Sequence, residues 1–249
     1  MVVAGMNKSY LSLILLTMMA FVPGAFAENI RVLILSGQNN HDWANTTPVI
    51  KNVLESTKRF SVTVTESPEK CSFEDFSACN VIVSNWNTFG KNAQVGDWPS
   101  STKDALVRFM RAGGGFVVIH AGGSSFPQWQ EYQQIVGGRW GKGTKHGPIS
   151  EASVVIAPIE HEITKGLSDF NIVDEIWVNM VLQPHIKILA SAHSKITNKQ
   201  EPVAFVTNSE YGRCFNLVLG HDVAAMKNPH WQILCQRGTE WATTGLVQQ

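Results

Sequence analysis

The sequence predicts an α/β fold, a doubly wound and mostly parallel sheet with helices on both faces. Short apolar runs recur along the chain, and the first of them are near-continuous, as in strands buried on both sides. Stretches of helical period separate these runs, which is the pattern of βαβ units.

Residues 30–36 (IRVLILS) form the first buried strand. Thr46-Thr47-Pro48 then offers an N-cap and a proline suited to a first helical turn. Val49, Ile50, Val53 and Leu54 follow at helical spacing. Residues 61–66 (SVTVTE) alternate as a second strand, and residues 80–85 (NVIVSN) form a third. Residues 100–111 make an amphipathic helix that stops at Gly113-Gly114-Gly115, and residues 116–120 (FVVIH) are the next strand. This order is that of a flavodoxin-like sheet. The second half is less regular. It holds a short helix at 131–136 and a glycine-rich loop at 137–147 that carries Trp140 and His146. Strands are expected at 152–156, 186–192, 203–208 and 214–219, and a last helix at 229–241. No repeat or long linker divides residues 28–249, which read as a single domain.

The first 27 residues read as a signal peptide. Lys8 supplies a positive n-region, residues 11–22 an apolar h-region, and Ala25 and Ala27 a small-x-small cleavage site. The apolar run is shorter than the roughly 20 residues needed to span a bilayer. No cysteine follows it to take a lipid. The expected location is therefore periplasmic or secreted, with no stable membrane insertion. That compartment permits disulfides among Cys71, Cys79, Cys214 and Cys235, with Cys71–Cys79 the most local pairing. Cys214 and Cys235 sit in apolar surroundings and read as small buried residues.

Lys and Arg number 20 and so do Asp and Glu, scattered singly, which leaves no electrostatic footprint for nucleic acid. A chain only 16 % charged but with eight tryptophans suits a neutral polar ligand. No G-x-G-x-x-G follows the first strand, so neither a nicotinamide nor a flavin cofactor is expected. The oligomeric state is not legible.

Ligands of open α/β sheets lie beyond the carboxyl ends of the strands. The first strand is followed there by Gln38-Asn39-Asn40-His41-Asp42-Trp43, and the third by Asn85-Trp86-Asn87. The fourth ends at His120-Ala121-Gly122-Gly123-Ser124, and a late strand runs into Gly220-His221-Asp222. Three histidines thus converge on one rim. Imidazole suits proton transfer near neutral pH and also ligates metals. One reading is a divalent metal site for zinc or manganese, with His41, His120 and His221 joined by Asp42, Asp222 or Glu175. Another is metal-free acid–base catalysis by His120 and His221 with Glu175 assisting. A third is a rigid network of hydrogen-bonded histidines. Trp43, Trp86 and Trp140 would stack on a sugar face or fill the core, while Gln38, Asn39, Asn40, Asn87 and Ser124 would bond to hydroxyls. Ser124 and Ser125 lack the G-x-S-x-G context of a hydrolase nucleophile. His146 reads as a lid that closes over the site or as part of a simply mobile loop, His161 as a turn residue bonded to backbone, and His185, His193 and His230 as surface residues.

The same residues carry a resemblance. Residues 37–43 with Thr46-Thr47-Pro48, residues 116–121 (FVVIHA), residues 161–167 (HEITKGL), Asp174-Glu175, residues 219–222 (LGHD) and Glu240-Trp241-Ala242 follow in the order of the ThuA-like, trehalose-utilisation family. The resemblance implies a fold like that of class I glutamine amidotransferases. Those enzymes place a nucleophilic cysteine where this chain has His120, so glutaminase chemistry is not expected. It also implies carbohydrate catabolism and a small sugar or sugar-derived ligand, and with the signal peptide the expectation is an exported enzyme that cleaves, hydrates or isomerises a glycoside or 3-keto-glycoside. The alternative is a non-catalytic carbohydrate-binding or accessory domain on the same scaffold.

Overall fold

The computed structural model describes residues 29–90 and 93–248, and the signal peptide expected from the sequence lies outside them. The first half lays down β1 (Ile30–Leu35), α1 (Trp43–Glu55), β2 (Phe60–Thr65), α2 (Phe73–Ser77), β3 (Val81–Ser84), α3 (Ser100–Arg111) and β4 (Gly115–Ile119). A 3-10 turn (His120–Gly123) and α4 (Gln130–Val136) follow. The second half contributes two-residue strands β5 (Gly138–Arg139) and β6 (Lys145–His146), then β7 (Ser150–Ile156) and β8 (Phe170–Asp174). After these come β9 (Trp177–Val178), β10 (Val181–Leu182), β11 (Lys187–Ser194), β12 (Lys199–Ser209), β13 (Gly212–Leu217), α5 (Val223–Met226) and α6 (Pro229–Thr244).

Nine strands form one mixed sheet in the order β2-β1-β3-β4-β13-β12-β11-β7-β8. The five strands from β2 to β13 run parallel and contain the expected doubly wound core. The remaining four extend it as an antiparallel arm. Alternate residues of the parallel strands feed opposite faces. Val32, Ile34, Val117 and Ile119 join the core under α1 and α6, whereas Leu33, Leu35, Phe116 and Val118 join the one under α2, α3 and α4. Both faces are buried, which is why these strands read as unbroken apolar runs.

Most predicted elements lie within two residues of their observed bounds. The start of α1 does not. Its N-cap is Asp42, whose side chain accepts from the Asn45 amide, and Pro48 lies inside the helix. Asp caps as well as Thr, and the two threonines have another task. Asn85 Nδ2 donates to Thr46 Oγ1 and Thr47 Oγ1, at 3.0 and 2.9 Å, and so ties the helix to the end of β3. The cysteines are free, with Cys79, Cys214 and Cys235 buried. No helix among the described residues is long and apolar enough to cross a membrane.

Candidate functional site

Four side chains meet beyond the carboxyl ends of the parallel strands: His41, His120, Glu175 and His221. One ligand atom of each lies within 4.8 Å of all the others.

His120 stands where β4 ends, in the left-handed region at φ 46°. That backbone is costly for a residue other than glycine and tends to persist where function requires it. The following turn packs so closely that a Cβ on Gly122 would sit 2.3 Å from the Ser84 carbonyl oxygen. His120 Nδ1 donates to the Val218 carbonyl oxygen at 2.6 Å, which leaves Nε2 bare and pointing into the cluster.

His41 is set by an amide network. Asn39 Nδ2 donates to the Asn85 carbonyl, and Asn39 Oδ1 accepts from the His41 backbone amide, from His41 Nδ1 and from Asn87 Nδ2. His41 Nδ1 is therefore the protonated nitrogen, and its Nε2 faces His120 Nε2 at 3.3 Å. Burial, with His120 and His221 beside it, pushes the pKa of His41 down to about 3, so the ring is neutral at physiological pH.

His221 and Glu175 are held by Asp174, at the end of β8. This buried carboxylate accepts from the amides of Gly220 (2.6 Å), Glu175 (2.8 Å) and His221 (3.2 Å). Glu175 Oε1 accepts from the Trp177 indole at 2.8 Å and lies 3.3 Å from His120 Nε2. Its Oε2 lies 3.1 Å from both His221 Nδ1 and His146 Nδ1. Burial opposes ionisation of Glu175, but contact with His120, the Trp177 indole and the charge of His221 outweigh it and hold the carboxyl near 2. His221 Nδ1 is buried and makes no well-aligned hydrogen bond, its polar contact being the 3.1 Å approach to Glu175 Oε2.

A cavity of about 380 Å³, open mouth included, lies over the cluster and is lined by Asn40, His41, Phe89, Ala121, Ser124, Trp140, His146, Glu175 and Trp177. Of the residues expected to bind substrate, Asn40, Ser124 and Trp140 line it. Gln38 and Asn87 instead brace the loops. Gln38 bonds to the carbonyls of Asn87 and Val95 and to the amides of Gln94 and Val95, and fully buried Asn87 ties Asn39 and Asn40 to Ala121. Trp43, half-buried on α1, does not line the cavity.

Trp86 is not at the cavity either. It is 2 % exposed and stacks on Phe126 at 5.7 Å in an aromatic core cluster. Trp86→Ala should cost about 3–5 kcal/mol of stability in urea unfolding while leaving the ligand affinity of the native protein unchanged.

Asp42 and Asp222 do not join the histidines. Each caps a helix, α1 and α5 respectively, because a strand-to-helix turn needs an acceptor for its free amides. Sequence reasoning missed Trp177 and Phe89, and left His146 between a lid over the site and a mobile loop. His146 is carried by the β6–β9 pairing, Lys145↔Val178 and His146↔Trp177, which sets it over Glu175. No local signal marks a pairing two residues long. His161 bonds to backbone as expected, its Nδ1 accepting from the Ile163 amide.

No cysteine lines the cavity, and burial pushes the Cys79 and Cys235 thiols up to about 12, so thiolate chemistry has no candidate here. Three imidazoles and a carboxylate with converging ligand atoms do match the ligand set of zinc or manganese.

Among curated proteins, none matches the sequence. Among solved structures, a protein described as ThuA-like from Parabacteroides merdae ATCC 43184 superposes with a TM-score of 0.77 at 28 % identity, covering 89 % of this chain and 92 % of that one. A second ThuA-like protein, from Bacteroides uniformis ATCC 8492, gives 0.67 at 18 % identity over 88 % and 94 %. A β-galactosidase from Rahnella sp. R3 shares the fold, with a TM-score of 0.55 at 14 % identity over 87 % of this chain and 32 % of that one. The family model described as ThuA, trehalose utilisation, matches residues 31–242, and the chain belongs to that family.

Proposed function

We propose that this chain is an exported, metal-dependent enzyme of carbohydrate catabolism that acts on a glycoside or keto-glycoside, with His41, His120, His221 and Glu175 holding zinc or manganese. One observation carries the reading. The Nδ1 hydrogen bonds of His41 and His120 leave two Nε2 lone pairs facing each other at 3.3 Å, a repulsive contact that a cation between them turns into ligation. His221 Nδ1, 3.1 Å from Glu175 Oε2, adds a third donor. A bound cation would supply Lewis acidity to a carbonyl or hydroxyl oxygen.

The protein's own groups do the rest. Trp140 and Trp177 wall the cavity against water. His146, half exposed and lining the cavity, has Nδ1 on Glu175 and the Gly147 carbonyl. On a sugar ketone, removal of the neighbouring C–H proton and departure of the aglycone oxygen is an elimination. The proton taken from carbon is the one the leaving alcohol regains.

A second reading, acid–base catalysis without metal, draws on the 3.3 Å contact between His120 Nε2 and Glu175 Oε1. A protonated His120 paired to Glu175 would also relieve the lone-pair contact.

Metal content of the chain purified without chelator, followed by NMR of a 3-keto-glucoside in D₂O, tests both. About one equivalent of metal, with exchange or elimination that stops on chelation, is the expected result. Turnover without metal, even after adding it back, would leave the acid–base reading. A folded chain that binds sugar and does nothing to it would be the carbohydrate-binding domain.

A further inference from the structure

We propose that the cavity admits a single neutral sugar ring and leaves the rest of a glycoside outside, so that the site selects the glycosyl unit and not the group attached to it. This rests on the carbohydrate reading above and narrows it.

Size comes first. The 380 Å³ includes open solvent at the mouth, and the space a ligand can fill is about 100 Å³, below the roughly 300–1,000 Å³ range of drug-sized sites. Trp177 is buried and meets Trp140 edge to face, with ring centroids 5.0 Å apart at 88°. Trp140, only half-buried, is therefore the ring with a surface to offer a ligand. Phe89 tilts against Trp140 at 6.5 Å and is itself 50 % exposed. The apolar wall thus continues outward into solvent at Phe89, where a second ring or aglycone would lie unconfined.

The polar groups fit hydroxyls. Asn40 Oδ1 accepts from Asn87 Nδ2 at 2.8 Å, which leaves the Asn40 amide hydrogens without a protein acceptor. Ser124 Oγ accepts from the Trp140 amide at 3.2 Å, which leaves its own O–H to donate. Both residues line the cavity. Neutral donors beside an aromatic face are what a hydroxylated ring needs.

Charge excludes the obvious competitors. Among the described residues no Lys or Arg lines the cavity, and Glu175 is the one acidic residue that does. Phosphate and carboxylate ligands are ordinarily met by Arg or Lys forks. Arg139, next to the cavity in sequence, turns Nη1 onto the Trp140 carbonyl instead. A divalent cation at the cluster would leave one net positive charge, so a phosphorylated ring is the stringent control.

The test uses the full chain saturated with zinc and three probes: methyl α-glucopyranoside, trehalose and glucose 6-phosphate. Binding is read by calorimetry, and metal content is measured on the same sample. The neutral monosaccharide and the disaccharide should bind within about threefold of each other, and the phosphate ester about tenfold more weakly or worse. Trp140→Ala should weaken both neutral sugars about tenfold, with Trp140→Phe recovering part of the loss. Trehalose binding more than about tenfold tighter than the monosaccharide would mean that the second ring is held, and would overturn the proposal. So would phosphate-ester binding as tight as that of the neutral ring, or a folded chain that ignores both neutral sugars. A metal-free chain with the expected order of affinities would sink the metal reading and leave this one standing.

Discussion

His120→Asn should lower zinc affinity about a hundredfold while leaving the metal-free protein at least as stable as the native chain. Structural zinc sites bind with roughly 10–16 kcal/mol spread over four ligands, or about 3 kcal/mol for each, and 1.4 kcal/mol is a factor of ten. Asparagine is the right replacement because position 120 sits at φ 46°, where Asn is tolerated better than Ala. Without metal, His120 places its lone pair against that of His41 at 3.3 Å, so its removal relieves a repulsion. Competition against a chromophoric zinc chelator measures the first effect, and thermal melting in chelator measures the second. Affinity within about threefold of the native value would remove His120 from the ligand set.

Much of this geometry was legible because parallel strands announce themselves. Residues 30–35 and 116–119 are buried on both faces, so their runs are unbroken and their carboxyl ends can be located to within a residue. His41, His120 and His221 then follow from the rule that ligands gather at those ends. The antiparallel arm was harder. β8 is five residues long, with Asn171 and Val173 exposed, too short and too polar on one face to stand out. Yet its last residue is Asp174, the anchor of the whole corner. Glu175 entered the expected site through the family resemblance, since nothing in its spacing links it to histidines that lie 55 and 46 residues away.

The amides show a different limit. A sequence can say that Gln38, Asn39, Asn40 and Asn87 reach one rim, but not which of them the protein uses up on itself. Asn87 is fully buried and spends its amide on three carbonyl oxygens. Asn40, which lines the cavity, gives no hydrogen bond from its Nδ2 to the described residues and keeps its donors for a ligand. Trp86 was misplaced for a similar reason. It follows β3 directly, as a site residue would, but its ring turns back among Trp98 and Phe126, where burying a large aromatic surface is worth more than exposing it.

Asp174 should prove the costliest polar residue to lose. Its side chain is 1 % exposed and takes three backbone amides, those of Gly220, Glu175 and His221. Asp174→Ala would leave all three donors buried without acceptors, at about 1–3 kcal/mol each, a large part of the roughly 5–15 kcal/mol that holds a domain folded. Asp174→Asn is the sharper experiment. One oxygen can still accept from Glu175 and His221, but an NH₂ group would then face the Gly220 amide across the present 2.6 Å contact, donor against donor. The turn must open there, and Gly220 has little room to move, since it sits at φ 106° against the Trp231 indole. His221 would shift with it. The expected result is a loss of about 2–3 kcal/mol in urea unfolding and a 10–100-fold drop in zinc affinity, the usual effect of removing a residue that orients a ligand. Both are measured at a temperature where the variant remains folded. Native zinc affinity in Asp174→Asn would show that the Gly220–His221 turn does not set the metal geometry, and His221 would then lose its place among the ligands.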